Sequence, residues 1–203
     1  MYVRDARNRE EVWLLDHIEA MDLDESAFRS RDYVIAIDEE SDAKAGFGRI
    51  RVHTGEEEEE ICELTSIGVL DGWRRQGIGA HIVERLVEYA ADRGCDDAYV
   101  LTTIPDYFAQ FGFTVIDDAD VPPVLAPRLP PKRERFEDAV VPMHIAVDAF
   151  EMPRRLRERF KQASQQDEAE PVESDPNALA EEFGIDPEEA TYKYDPRGGT
   201  RDR

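Results

Sequence analysis

Apolar positions along the chain change period several times before about residue 150, and each change marks a predicted element. Tyr2 to Asp5 reads as a short strand, and Val12, Leu15 and Ile18 sit at helical spacing in a helix expected near Arg9 to Met21. Tyr33 to Asp38 and Ala45 to His53 read as strands around the turn-rich ESDAKAG, making a hairpin. Ile61 to Leu70 is the next strand. From Gly77 to Arg93, the residues Ile78, Ile82, Val83, Leu86, Val87 and Ala90 fall on one buried helical face, and Gly94 is its natural stop. Ala98 to Thr102 follows as a β-rich run, then a short helix near Asp106 to Phe111, a strand at Phe113 to Ile116 and a last strand at Val140 to Val147. The strand, helix, strand passage through residues 61 to 102 predicts parallel neighbours joined by a crossover helix. The expected class is mixed α/β (α+β), a mixed central sheet flanked by helices, occupying residues 1–150.

Beyond residue 150 the pattern shifts. Met152, Leu156 and Phe160 recur every fourth residue between Arg154, Arg155, Arg157, Arg159 and Lys161, which predicts a basic amphipathic helix over 151–165. From Asp167 to Glu189 there are ten acids and no base, interrupted by Pro171, Pro176 and Pro187. The stretch 166–203 therefore reads as an acidic mobile tail, either an interaction segment or a solvated extension, with a local helix near Asn177 to Phe183.

Composition narrows the partners. With 25 basic and 47 acidic residues the formal charge is -22, so nonspecific binding to nucleic acid or to an anionic membrane would have to overcome long-range repulsion. Acids fill nearly a quarter of the chain while only Lys44, Lys132, Lys161 and Lys193 supply lysine, a balance resembling proteins of salt-loving cytoplasms. The hydrophobic share of 41% still allows a core. Cys62 and Cys95 form no metal-ligand cluster and no disulfide framework, which fits a reduced compartment and a pair of structural thiols. No apolar leader and no apolar run of about 18 residues is present, so the expectation is a soluble cytoplasmic protein.

The segment that carries chemistry is Ile67-Gly68-Val69-Leu70-Asp71-Gly72-Trp73-Arg74-Arg75-Gln76-Gly77-Ile78-Gly79-Ala80, a glycine-rich turn between a strand and a helix. Gly77 and Gly79 let backbone amides at the helix start approach an anion, and the helix dipole favours negative charge there. Arg74 and Arg75 add cations in an otherwise acidic chain, so a pyrophosphate is the expected guest. The dinucleotide fingerprint fails because Ile82 stands where its third glycine should be, and no GxxxxGK[ST] occurs.

These letters resemble the acetyl-CoA signature R/Q-x-x-G-x-G/A of the Gcn5-related N-acetyltransferase (GNAT) family, with Arg74, Gly77 and Gly79 in its places. Ile67-Gly68-Val69 resembles the family strand that pairs with pantetheine, and Tyr107-Phe108-Ala109-Gln110-Phe111-Gly112-Phe113 resembles its aromatic short helix ending in Gly-Phe. The form is closest to the N-acetylglutamate-synthase-like and arsenic-resistance-like members, over residues 1 to 148. The resemblance implies the acyl-CoA N-acyltransferase fold, acetyl-CoA held by Ile67 to Val69 and Arg74 to Ala80 (Arg74, Arg75, Gln76, Gly77, Ile78, Gly79, Ala80), and direct attack by an amine acceptor in a ternary complex.

By position, Glu63 matches the family acid that serves as a base through water; it is alternatively one more glutamate after the run Glu56 to Glu60. The proton donor departs from the pattern, because Phe108 stands at the usual Tyr position. Tyr107, about 100° around the helix, is the remaining side-chain candidate, with water or the substrate as alternatives. The acceptor is open between two features. Glu56 to Glu60 would attract a cationic amine or, as the commoner case, form the solvated hairpin of a salt-adapted protein, and Arg128, Lys132, Arg133 and Arg135 in PRLPPKRERF would hold an acceptor carboxylate or the 3'-phosphate of CoA, or form a surface loop paired with the tail or with a second subunit of a homodimer. A noncatalytic acyl-CoA-binding or sensing module is the alternative class.

Overall fold

Strands β1 (Tyr2–Asp5), β2 (Tyr33–Ile37), β3 (Lys44–Thr54), β4 (Glu60–Val69), β5 (Asp97–Thr102), β6 (Thr114–Val115) and β7 (Val141–Ala146) join in one sheet of order β1-β2-β3-β4-β5-β7-β6. The computed structural model describes residues 1–55, 59–136 and 139–165; the expected acidic tail, its helix near Asn177 and the glutamates 56–58 lie outside them. Helices α1 (Glu11–Ala20), α2 (Ile78–Asp92), α3 (Pro105–Ala109), α4 (Leu129–Arg135) and α5 (Arg154–Lys161) cover the sheet. Every pairing is antiparallel except β4 with β5, which run parallel across the α2 crossover as the periodicity predicts.

Period-two alternation decides which helix meets which strand. On β2, Val34 and Ala36 join the core under α2, together with Ile82, Val83 and Leu86, while Tyr33, Ile35 and Ile37 pack with Leu14 and Ile18 of α1 on the opposite face. A third cluster of Leu101, Val121, Leu125, Leu129 and Val140 seats α4 on that opposite face, beside β5.

Two irregularities open the sheet. Between Phe47↔Gly68 and Arg49↔Thr65 the register gains a residue on β4, a bulge at which Ser66 takes φ 48. The β4–β5 ladder runs only from Cys62↔Ala98 to Leu64↔Val100, although both strands continue. Their upper halves therefore part, and the backbone of Ile67 to Val69 forms one lip of the gap.

The structure changes three expectations. Pro130 and Pro131 do not keep the PRLPPKRERF stretch as a loop. They stand in the first turn of α4, where proline's missing N–H costs nothing and buried Leu129 anchors the helix. Cys62 and Cys95 are bonded to each other rather than separate thiols, across a sequence separation of 33 that gives no hint of contact. The crossover brings the chain after α2 back beside the start of β4, and both residues are buried there. Finally, α5 is not an appendage: Leu156 and Phe160 belong to the main core, so its apolar stripe continues the domain that was expected to end near residue 150.

Candidate active site

After β4 the chain turns sharply into α2. Buried Trp73 holds the turn from beneath, and Arg75 (φ 62) and Gly77 (φ 77) adopt the left-handed conformation that the reversal needs. The start of α2 thereby forms one wall of a cleft of about 720 Å³, which continues along Ile67, Gly68 and Val69. Helix geometry leaves the first-turn amides without intrahelical acceptors, so Ile78, Gly79 and Ala80 bring unpaired donors to that wall. Arg74 and Arg75 are exposed at its mouth, with Arg74 leaning on Asp71 at 3.0 Å.

Gln76 is the signature residue that does not line the cleft. Its amide accepts from Ser164 N–H at 2.9 Å and donates to Ser164 O at 2.9 Å and to Gly72 O at 3.2 Å. All the polar atoms of this side chain are engaged in pinning the segment after α5, which leaves the Gln76 backbone as the part of the residue nearer the turn.

At the far side of the gap, α3 turns Phe108 and Tyr107 in different directions. Phe108 points into the core, 4% exposed, edge-on to Phe113 at 5.4 Å. Tyr107, one residue earlier, turns to the gap. Its hydroxyl lies so near Gly79 that a Cβ there would be 2.7 Å from it, and burial pushes the phenol up, so it stays protonated. Tyr107, Ile67, Ile104 and Leu23 line both the first cleft and a second, of about 640 Å³, so the two meet at these side chains.

The second cleft is lined by Asp22, Asp24 and Ser26 from the loop after α1, by Thr65 and Ser66 of the bulge, and by Arg128, Lys132 and Arg135 of the α4 region. Beneath it lies Glu63, 0% exposed and lining neither cleft. Its carboxylate accepts from His53 Nε2 at 3.0 Å and, at Oε1, from Arg128 Nε at 3.1 Å, with Lys132 Nζ at 3.6 Å. Burial alone would push this carboxyl up, but the His53 hydrogen bond and the charges of Lys132 and Arg128 outweigh it and hold Glu63 below the usual range. Burial pulls the Lys132 ammonium down. Asp24 is likewise kept well below its ordinary value, by Ser26 and Arg128 against a burial cost, and Arg128 reaches it at 2.6 Å. Every acid lining this cleft is thus paired, Asp22 with Arg135 and Asp24 with Arg128 and Arg51.

A cleft of about 720 Å³ at a helix start thus meets one of about 640 Å³ where two parallel strands part. The family model described as Acetyltransferase (GNAT) family matches residues 2–113. The chain belongs to this acetyltransferase family. Among solved structures, Rv2747 from Mycobacterium tuberculosis, in complex with CoA and NLQ, is similar at TM-score 0.57 and 19% identity over 72% of this chain and 99% of that one. N-acetylglutamate synthase from Neisseria gonorrhoeae, complexed with coenzyme A and N-acetyl-glutamate, is similar at TM-score 0.56 and 15% identity, over 71% of this chain. The chain spans about a third of that protein's length, 34%. An acetyltransferase of the GNAT family from Staphylococcus aureus Mu50 is similar at TM-score 0.53 and 13% identity, covering 71% of this chain and 98% of that one. At these identities the likeness is one of fold.

The residues present fit coenzyme A. Gly79 leaves open the space that any side chain would take beside Tyr107, and the unpaired amides and arginines at the mouth suit a polyanion. Several site residues of this GNAT-family chain escape sequence reasoning. Asp24 and Ser26 sit in a loop without periodicity, held to the bulge by Ser66 Oγ donating to Asp24 O at 2.8 Å. Arg49, 1% exposed, donates to Ser26 O at 2.8 Å and to Ala27 O at 2.6 Å. Arg49 alternates with Arg51 and His53 along β3, so its letter alone does not single it out; its burial does, because a buried guanidinium needs partners.

Proposed function

We propose that the chain transfers acetyl from acetyl-CoA to the primary amine of a small acceptor that carries a carboxylate, an amino acid being the simplest, by direct attack in a ternary complex. The carrying observation is the meeting of the two clefts at Tyr107, one end suited to a polyanion and the other lined by Arg128, Lys132 and Arg135 in a protein of charge -22. N-acetyl-glutamate in the Neisseria synthase supports an amino-acid acceptor.

Acetyl-CoA supplies an activated thioester. The α2 amides with Arg74 and Arg75 hold its phosphates, and Gly77 and Gly79 allow them close. The lip from Ile67 to Val69 pairs with the pantetheine arm and turns backbone donors to the thioester carbonyl. Attack forms the N–C bond and breaks the C–S bond; Tyr107 passes its hydrogen to the departing sulfur, and the proton shed by the amine nitrogen returns through water to the tyrosine oxygen. Arg128 and Lys132 orient the acceptor carboxylate, and Glu63, rather than acting as a base, fixes those two cations from below. With each acid of the acceptor cleft already paired, the amine enters neutral, so the rate should rise with pH along the acceptor's own amine titration. Rates for acceptors of graded amine pKa test this; a common pKa shared by all acceptors would point to an enzymic base.

The deciding assay is thiol release from acetyl-CoA with amino acids, polyamines, aminoglycosides and peptide amino termini at molar salt. Release with amino acids but not polyamines is expected. Tight CoA binding with no release on any amine would instead identify a sensing module. Tyr107→Phe should lower kcat about 10²-fold with unchanged CoA affinity and melting temperature; an unchanged kcat would remove Tyr107 from the chemistry. We also place the protein in the cytoplasm of a salt-rich cell. The acid excess supports this, and the burial of Cys62 and Cys95 keeps their bridge out of reach of small thiols.

A further inference from the structure

The basic helix α5 lies beyond the matched residues 2–113, yet it is built into the cofactor cleft. Its backbone touches the phosphate turn: a Cβ at Gly77 would stand 2.3 Å from Leu156 O and 3.2 Å from Phe160 N. Phe160 stacks on His81 of α2 at 3.7 Å and 7° between planes, and Arg157 pairs with Glu84 of α2 at 2.7 Å. The Gln76–Ser164 pair described above fixes the far end. Upstream, Glu151 N–H donates to Phe111 O at 3.1 Å and Arg155 donates to Gln110 Oε1 at 2.7 Å, so α5 is tied to both α2 and α3.

These contacts hold α5 where Leu156 and Arg159 line the 720 Å³ cleft beside Arg74, Arg75 and Gly79. Arg159 is exposed, and among the described residues it makes no ion pair. Arg157 and Arg155, its neighbours on the helix, are already committed to protein partners. A guanidinium left without an acid partner among the described residues, facing the helix-start amides, is placed for an anion that arrives with the ligand.

We propose that Arg159 is a phosphate ligand for coenzyme A, and that α5 is a clamp which closes the cofactor cleft and sets its affinity. This rests on the acetyl-CoA reading above. Coupling of Gly77 to the α5 backbone makes the phosphate turn rigid before the cofactor arrives, so less ordering is left to be done on binding.

The test is calorimetry of the full chain with CoA, dephospho-CoA and pantetheine, comparing wild type with Arg159→Gln and with the same-helix control Arg154→Gln, whose side chain does not line the cleft. Arg159→Gln should weaken CoA about 10-fold, the usual worth of one charge-assisted contact, with pantetheine affinity and melting temperature unchanged. Arg154→Gln should bind like wild type. A loss that persists with dephospho-CoA assigns Arg159 to the diphosphate, and one that vanishes assigns it to the 3'-phosphate. Equal CoA affinities for the two variants in a protein that binds CoA would overturn the clamp alone. Failure of the wild type to bind CoA would overturn the acetyl-CoA reading and the clamp with it.

Discussion

Gly79→Asp is expected to lower CoA affinity by about 100-fold or more, because a carboxylate at the start of α2 repels a phosphate at close range in a partly desolvated cleft. Sterics add to this, since the new Cβ would lie 2.7 Å from the Tyr107 hydroxyl. Gly79→Ala separates the two effects. It keeps the methyl clash without the charge, so an intermediate loss is expected, and combining it with Tyr107→Phe should recover part of the affinity by removing the atom that clashes. The helix itself should tolerate either change, as both replacements leave backbone hydrogen bonding intact. Calorimetry with CoA alone reads all three variants. Wild-type affinity in Gly79→Asp would take the cofactor away from this turn.

Glu63→Gln is expected to destabilise the protein by about 3 kcal/mol, a fall of roughly 10 °C in melting temperature, because the amide leaves Arg128 and Lys132 short of a buried counter-charge. The sign with pH follows from the lowered carboxyl of Glu63. Its folded-state value lies below the ordinary 4.5, so the stabilisation is fully present above pH 4.5 and is lost as pH falls through the folded value. The gap between wild type and variant should therefore be widest near neutrality and should close in acid, where a protonated Glu63 resembles the amide. Activity gives the second readout. If Glu63 fixes the acceptor-binding cations, KM for the acceptor rises while CoA affinity holds. A variant with wild-type stability and a rate deficit that shrinks as pH rises would return Glu63 to the role of base.

The cofactor half of the site is local in sequence. Gly77, Gly79 and Arg74 lie within one strand-to-helix turn, so letters at fixed spacing announce both the anion and the helix start that would bind it, and the apolar face from Ile78 to Ala90 is legible for the same reason. The strands β1 to β5 likewise follow from short β-rich runs bounded by turn signals, and the parallel β4–β5 pair from the crossover between them.

Contacts between distant segments decided the rest. Spacing on α3 separates Tyr107 from Phe108, but only packing of Phe108 against Phe113 sends Tyr107 to the gap. Glu63 matches a base by position, and only the fold shows that Arg128, 65 residues onward and just before α4, comes to its carboxylate. The Cys62–Cys95 bond, the Gln76–Ser164 clamp and the seat of Arg159 arise in the same way. Sequence periodicity records which face of an element avoids water; it carries no record of which remote charge will arrive at that face, because that depends on how whole elements stack once their apolar sides are joined.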